Sequence, residues 1–177
     1  MEILVVAGEA SSDLHGAHLV KALKKQLPEV RLFGVGGKRL AAEGMQICLS
    51  AESLNVVGIT DWREKLFAIL RNYRFLKREI AHRKPALALL MDLPDFNLKL
   101  SHYLKRLGIP VVYYISPQVW AWRSYRVHTI RKNVAKMLVV FPFEKKFYLD
   151  AGVPAEFVGH PLLDQLEGRE RYRSQKE

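Results

Sequence analysis

Ile3-Leu4-Val5-Val6-Ala7, followed at once by Gly8-Glu9-Ala10-Ser11-Ser12-Asp13-Leu14-His15-Gly16, is the stretch on which the fold turns. Five consecutive apolar residues without polar alternation suit a strand buried on both faces, and the polar turn behind them leads into a segment of helical periodicity, Asp13-Gln26. The same order recurs along the chain. Strands are expected at Arg31-Val35, Gln46-Leu49, Ala86-Met91, Val111-Ile115, Met137-Phe141 and, briefly, Phe157-Val158. Helices are expected at Lys38-Glu43, Arg63-Arg83, Phe96-Leu107, Tyr125-Lys132 and Glu144-Asp150. Gly44, Gly108 and Gly152 each follow a helical stretch, where a C-terminal cap with positive φ is wanted. This alternation predicts an α/β fold, an open and mostly parallel sheet with helices on both faces.

The 177 residues suffice for one domain with its own core, expected over 1-164, and the polar, mixed-charge run Glu167-Glu177 predicts a tail or the start of a linker over 165-177. Cys48 is the only cysteine, which excludes an internal disulfide, and the Cys/His spacing suggests no metal. Met1-Glu2 runs directly into the first apolar stretch without the basic leader of a secretory signal. No apolar run approaches the roughly 20 residues that span a bilayer, so any membrane contact is expected to be peripheral. The net charge of +10 calls for an anionic partner: nucleic acid, an anionic lipid surface or a phosphorylated substrate.

In such a sheet, ligands are expected in the crevice at the carboxyl ends of the strands. The chemically distinctive residues gather there. Gly8 to Gly16 joins a strand to a helix, so free backbone N–H groups and the positive end of the helix dipole point to an anion; Ser11, Ser12 and Asp13 are equally ordinary helix caps. The segment is neither a Walker loop nor a dinucleotide fingerprint. Asp92 and Asp95 flank Pro94 behind the strand ending at Met91, where two carboxylates beside Asn97 are candidate acid/base groups; the alternative is that Asp95 caps a helix and Asp92 completes the turn. Ser116 and Gln118 follow the strand ending at Ile115. His160, in Val158-Gly159-His160-Pro161-Leu162, is a candidate cleft residue or a turn histidine beside proline. The other five histidines, His15 among them, show no metal spacing and receive no catalytic role. Trp120 and Trp122 are core or a stacking wall. Arg63-Lys84 carries eight Lys/Arg against Glu64 and Glu79, interleaved with apolar and aromatic side chains. Leu66, Phe67, Ile69, Leu70, Arg71, Tyr73 and Arg74 therefore predict a helix lying in a membrane interface; the alternative is a helix that packs one face on the sheet and solvates the other.

Seven blocks, in order, resemble the lipid-A-disaccharide synthase family: Gly8-Glu9-Ala10-Ser11-Ser12-Asp13-Leu14-His15-Gly16, Gly34-Val35-Gly36-Gly37, Val56-Val57-Gly58-Ile59, Asp92-Leu93-Pro94-Asp95-Phe96-Asn97, Ser116-Pro117-Gln118-Val119-Trp120-Ala121-Trp122, Pro142-Phe143-Glu144 and Val158-Gly159-His160-Pro161-Leu162. The resemblance spans about residues 3 to 164. It implies the N-terminal, acceptor-side Rossmann-like domain of a GT-B glycosyltransferase, with a C-terminal nucleotide-binding domain not present in this chain. It further implies transfer of diacylglucosamine from UDP to diacylglucosamine 1-phosphate, giving the β-1,6-linked disaccharide and UDP. The work would be done on the cytoplasmic face of a bacterial inner membrane, without metal or cofactor and without nucleic acid. Asp95 is the first candidate for the base, Asp92 the second, and Asp61 a further catalytic carboxylate. Gly8, Glu9, Ser11, Ser12, Asp13, Asn97, Ser116, Gln118, Trp122 and His160 are expected to bind substrate.

The chain departs from the family pattern at Ser12, where glycine is usual, and at Asp61, where glutamate is usual. A homodimer or a separate C-terminal half are the partners the resemblance allows. Its rivals are another GT-B enzyme acting on a UDP-sugar or an epimerase of similar fold, a nucleic-acid-binding domain, and an inactive fragment that binds acceptor or membrane.

Overall fold

The computed structural model describes residues 1–55, 62–118 and 125–163. Val56-Val57-Gly58-Ile59, Asp61, Trp120, Trp122 and the 164/165 boundary with its tail lie outside the described residues. The strands are β1 (Glu2–Ala7), β2 (Arg31–Gly36), β3 (Gln46–Ser50), β4 (Leu87–Met91), β5 (Val111–Tyr114), β6 (Lys136–Val139) and β7 (Ala155–Phe157). Between them run α1 (Ala10–Gln26), α2 (Lys38–Ala42), α3 (Glu52–Asn55), α4 (Trp62–Arg83), α5 (Pro94–Arg106), α6 (Arg126–Asn133) and α7 (Pro142–Asp150).

All seven strands join one parallel sheet in the order β3-β2-β1-β4-β5-β6-β7. Side chains alternate across each strand, and both faces are covered. Leu4 and Val6 of β1 and Ala88 and Leu90 of β4 enter the core beneath α4 to α7, with Leu76, Leu104, Ile130 and Tyr148. Ile3, Val5, Ala7, Leu89 and Met91 enter the opposite core beneath α1 and α2, with Val20 and Leu40. The uninterrupted apolar runs are thus explained by burial on two sides.

The chain winds outward from β1 to β3, then returns to lay β4 on the other flank of β1. This reversal parts the loops behind β1 and β4 and opens a crevice between them. Gly44, Gly108 and Gly152 adopt φ of 76°, 72° and 73° behind their helices, as expected of C-terminal caps.

Several boundaries correct the sequence reading. The helices expected from Asp13, Phe96 and Glu144 begin at Ala10, Pro94 and Pro142. Proline lacks an N–H, but the first helical position needs none, so Pro94 and Pro142 sit inside the first turn rather than before it. Ser11, Ser12 and Asp13 likewise lie within α1, behind the extended residue Glu9. Strand β5 stops at Tyr114 because Ile115 turns to φ 62°. Strand β6 covers Lys136–Val139 and β7 Ala155–Phe157, each earlier than expected. The short α3 was not anticipated.

Candidate functional site

Asp92 is the first residue beyond β4, and the loop bends sharply at it: Asp92 and Leu93 hold φ of 47° and 39°. Left-handed backbone in two successive non-glycine residues is costly and persists only where surrounding bonds enforce it. Those bonds come from below. The Asn97 side chain, fully buried in α5, donates from Nδ2 to the carbonyls of Met91 and Asp92, both at 2.8 Å. Tyr113 of β5 donates its hydroxyl to the same Asp92 carbonyl. Burial pushes the Tyr113 phenol well above its ordinary pKa, so it stays a donor.

The carboxylate so presented ties two loops together. Oδ1 accepts the Gly8 N–H at 3.2 Å and Oδ2 the Glu9 N–H at 3.0 Å. Burial raises the Asp92 pKa from 3.8 to about 6, against the pull of hydrogen bonds from Ser12, Gly8 and Glu9, with the neighbouring Glu9 charge raising it further. Such a carboxyl is poised near neutrality, where a general base works best. The Ser12 hydroxyl also accepts the Glu9 N–H at 3.1 Å and donates to the Glu9 carbonyl at 2.9 Å. Ser12 therefore fastens the first turn of α1 beside the carboxylate, which glycine cannot do.

A cavity of about 400 Å³ opens at this point, lined by Glu9, Ser11, Ser12, His15, Asp92, Leu93, Ser116, Gln118 and His160, among others. Six of the expected substrate-binding residues meet there: Glu9, Ser11, Ser12, Ser116, Gln118 and His160. Ser116 is buried, its hydroxyl 2.7 Å from that of Tyr148, whose pKa burial pushes up to about 12.

Three expected residues stand apart. The buried Asp13 carboxylate accepts the N–H groups of Gly37 (2.7 Å), Arg39 (3.0 Å) and Leu40 (3.2 Å), capping α2. A Cβ on Gly37 would stand 2.7 Å from that carboxylate, so glycine lets the two backbones approach. Asn97 supports Asp92 from inside the core. Asp95, expected as the first candidate for base, turns away from the cavity; its side chain is 75% exposed and pairs with the Arg126 guanidinium. The cavity also includes His15, Leu93 and Ile115, which the sequence reading left without a role. His15 stands one turn beyond Ser11 on α1, so helical periodicity was the available signal.

On α4, Leu66, Phe67, Leu70 and Phe75 are exposed among the exposed Arg71, Arg74 and Arg78, and Ile69 is half-buried. Tyr73, expected at the same surface, packs inward against Phe96 with ring centroids 5.6 Å apart. Among the described residues no three His, Cys, Asp or Glu side chains gather as metal ligands, and no helix is long and apolar enough to cross a membrane.

A seven-stranded parallel sheet with its crevice at the β1/β4 switch point is the architecture of one Rossmann-like half of a GT-B fold. UDP-GlcNAc 2-epimerase from Neisseria meningitidis, solved with UDP-GlcNAc, matches 99% of this chain and 52% of its own at a TM-score of 0.67 and 15% identity. A UGT transferase from Siraitia grosvenorii, solved with UDP, matches 89% of this chain and 50% of its own at 0.56 and 11%. Sequence narrows the class to a family. The lipid-A-disaccharide synthetase model matches residues 3–177. The lipid-A-disaccharide synthase of Myxococcus xanthus is 49% identical over 93% of this chain, and that of Syntrophus aciditrophicus 50% identical over 93%. The chain belongs to this glycosyltransferase family, and it spans 43% of the length of these relatives.

Proposed function

We propose that this chain forms the acceptor-side half of a lipid-A-disaccharide synthase and that Asp92 is the base of the reaction. The observation that carries the reading is Asp92 itself, a carboxylate held at the switch-point cavity with its pKa raised to about 6. In the reaction, a hydroxyl of diacylglucosamine 1-phosphate attacks the anomeric carbon of UDP-diacylglucosamine. The bond to UDP breaks, the β-1,6 link forms, and the hydroxyl proton passes to Asp92. Each Asp92 oxygen accepts one backbone N–H from the first loop, and the carboxylate keeps acceptor capacity for that proton. Asp95, turned to solvent and paired with Arg126, serves the packing of α5 on α6.

The donor nucleotide is held, in this proposal, by the sequence through which the relatives extend beyond the matched 43%. The exposed apolar and basic side chains of α4 set the chain on the cytoplasmic face of an anionic inner membrane, where both acylated substrates reside. The test is disaccharide formation from the two acylated substrates, using this chain alone and mixed with the C-terminal half of a family member. Product in the mixture alone is expected. Product from the chain alone would overturn the placement of the donor site, and no product from two folded, associated halves would overturn the synthase reading.

A further inference from the structure

α1 carries His15 into the cavity one helical turn past Ser11. Its Nδ1 is buried without a hydrogen-bond partner, an uncommon state for a buried polar atom. With Nδ1 shut inside, Nε2 is the nitrogen left to meet the cavity. His160 lines the same cavity from the segment behind β7. Its Nδ1 accepts the Leu162 N–H at 3.3 Å, which leaves the proton of the neutral ring on Nε2, and the ring leans on Phe141 with centroids 5.5 Å apart. Burial first, then the charges of His160 and His18, hold the His15 pKa below its ordinary value. Two imidazoles that repel one another when charged are relieved by an anion placed between them.

We propose that His15 and His160 form a phosphate subsite, each ring donating from Nε2 to a phosphoryl oxygen of the bound sugar substrate. This rests on the reading of the cavity as a sugar-phosphate site. Glu9 and Asp92 face the same cavity, and their negative charge directs the phosphate to the histidine side, leaving the reacting hydroxyl for Asp92. A phosphate monoester on the acceptor and the diphosphate of the donor offer the same oxygens, so the subsite is defined by the phosphoryl group and its source is settled by competition between soluble probes.

The experiment follows the imidazole resonances of the full chain by NMR during titration with inorganic phosphate, glucosamine 1-phosphate and UDP. The resonances of His15 and His160 are expected to move together with each phosphate that binds. His15→Gln and His160→Gln should each weaken the better-bound probe about tenfold, the loss of one charge-assisted hydrogen bond. His18→Gln, which removes an exposed ring on the same helix, should leave affinity unchanged. Tighter glucosamine 1-phosphate assigns the subsite to the acceptor, and tighter UDP assigns it to the donor. Should His15→Gln fail to fold, His160→Gln on the half-buried turn carries the same test. The proposal is overturned if His15 stays unmoved by all three probes, or if His18→Gln weakens binding as much as His15→Gln does, since the diffuse field of a basic protein would then suffice. Failure of the synthase reading looks different: no disaccharide is made while the histidine shifts remain.

Discussion

Asp92 lies in the loop behind β4 and Asp95 in the first turn of α5, and they meet opposite surroundings, a contrast on which the proposed choice of base rests. Asp92 faces the cavity with its pKa raised to about 6; Asp95 faces solvent and an arginine. Asp92→Asn should therefore abolish disaccharide formation, and wild-type kcat/KM should rise through about pH 6 as the carboxyl loses its proton. An acid limb unchanged in position when another residue is made limiting, or an active Asp92→Asn enzyme, would refute the assignment. The same shift acts on stability. Between 3.8 and about 6 the folded chain keeps a proton on Asp92 that the unfolded chain has released, so the wild type loses stability as pH rises through that window. Asparagine carries no such charge, and urea unfolding should show the Asp92→Asn protein gaining on wild type by at most about 3 kcal/mol from below to above the window. Asp13 makes the complementary case. Its three backbone N–H bonds would be orphaned by Asp13→Ala at a cost of about 2–4 kcal/mol. A loss under about 1 kcal/mol would mean that water reaches those amides.

At the scale of elements, the site is made by loops that strands and helices hold under tension. Asp92, Leu93 and Ile115, all with positive φ, border the cavity, and the Leu93 side chain lies over the first loop. A Cβ on Gly8 would come within 1.9 Å of Leu93 Cδ1, so Gly8→Ala must displace either the loop or the leucine. Because Asp92 takes its N–H bonds from Gly8 and Glu9, that displacement should lower stability and activity together. Leu93→Ala in the same chain should recover most of the loss, with a coupling energy of about 1–3 kcal/mol in a double-mutant cycle. Additive effects would show that the clash is relieved elsewhere. The same loops explain what the sequence could and could not reveal. Strands were legible because burial on both faces leaves uninterrupted runs such as Leu87–Met91, and the crevice was legible because its loops follow those runs. The choice of Asp92 over Asp95 depends on Gly8, Tyr113 and Arg126, which the sheet brings near from distant parts of the chain, and no local spacing encodes that. Ser12, Ser11 and Asp13 show the limit of local reading in another way: three cap-forming residues in a row lie inside the helix, and one of them caps a different helix.

For the whole molecule, the net charge of +10 and the exposed face of α4 would give the proposed membrane contact two separable forces. Charge attracts the protein to any anionic surface and weakens with salt, each arginine near that surface contributing about 1 kcal/mol. Insertion of Phe67, 72% exposed, with Leu66 and Leu70 beside it, depends on apolar area and persists when salt screens the charge. The full chain should bind vesicles containing anionic lipid and keep a salt-resistant remainder. Serine at 66, 67 and 70 should remove that remainder while sparing attraction at low salt, lowering affinity at physiological salt at least about tenfold. Glutamine at 71, 74 and 78 should instead flatten the salt dependence. Equal binding to neutral vesicles would assign no role to the basic side chains, and a triple-serine variant that binds as tightly as wild type would place the contact elsewhere on the molecule. The two sets of variants separate because the apolar and basic side chains alternate along one exposed helix face, so in the proposed contact the same surface would attract the bilayer at a distance and hold it on contact.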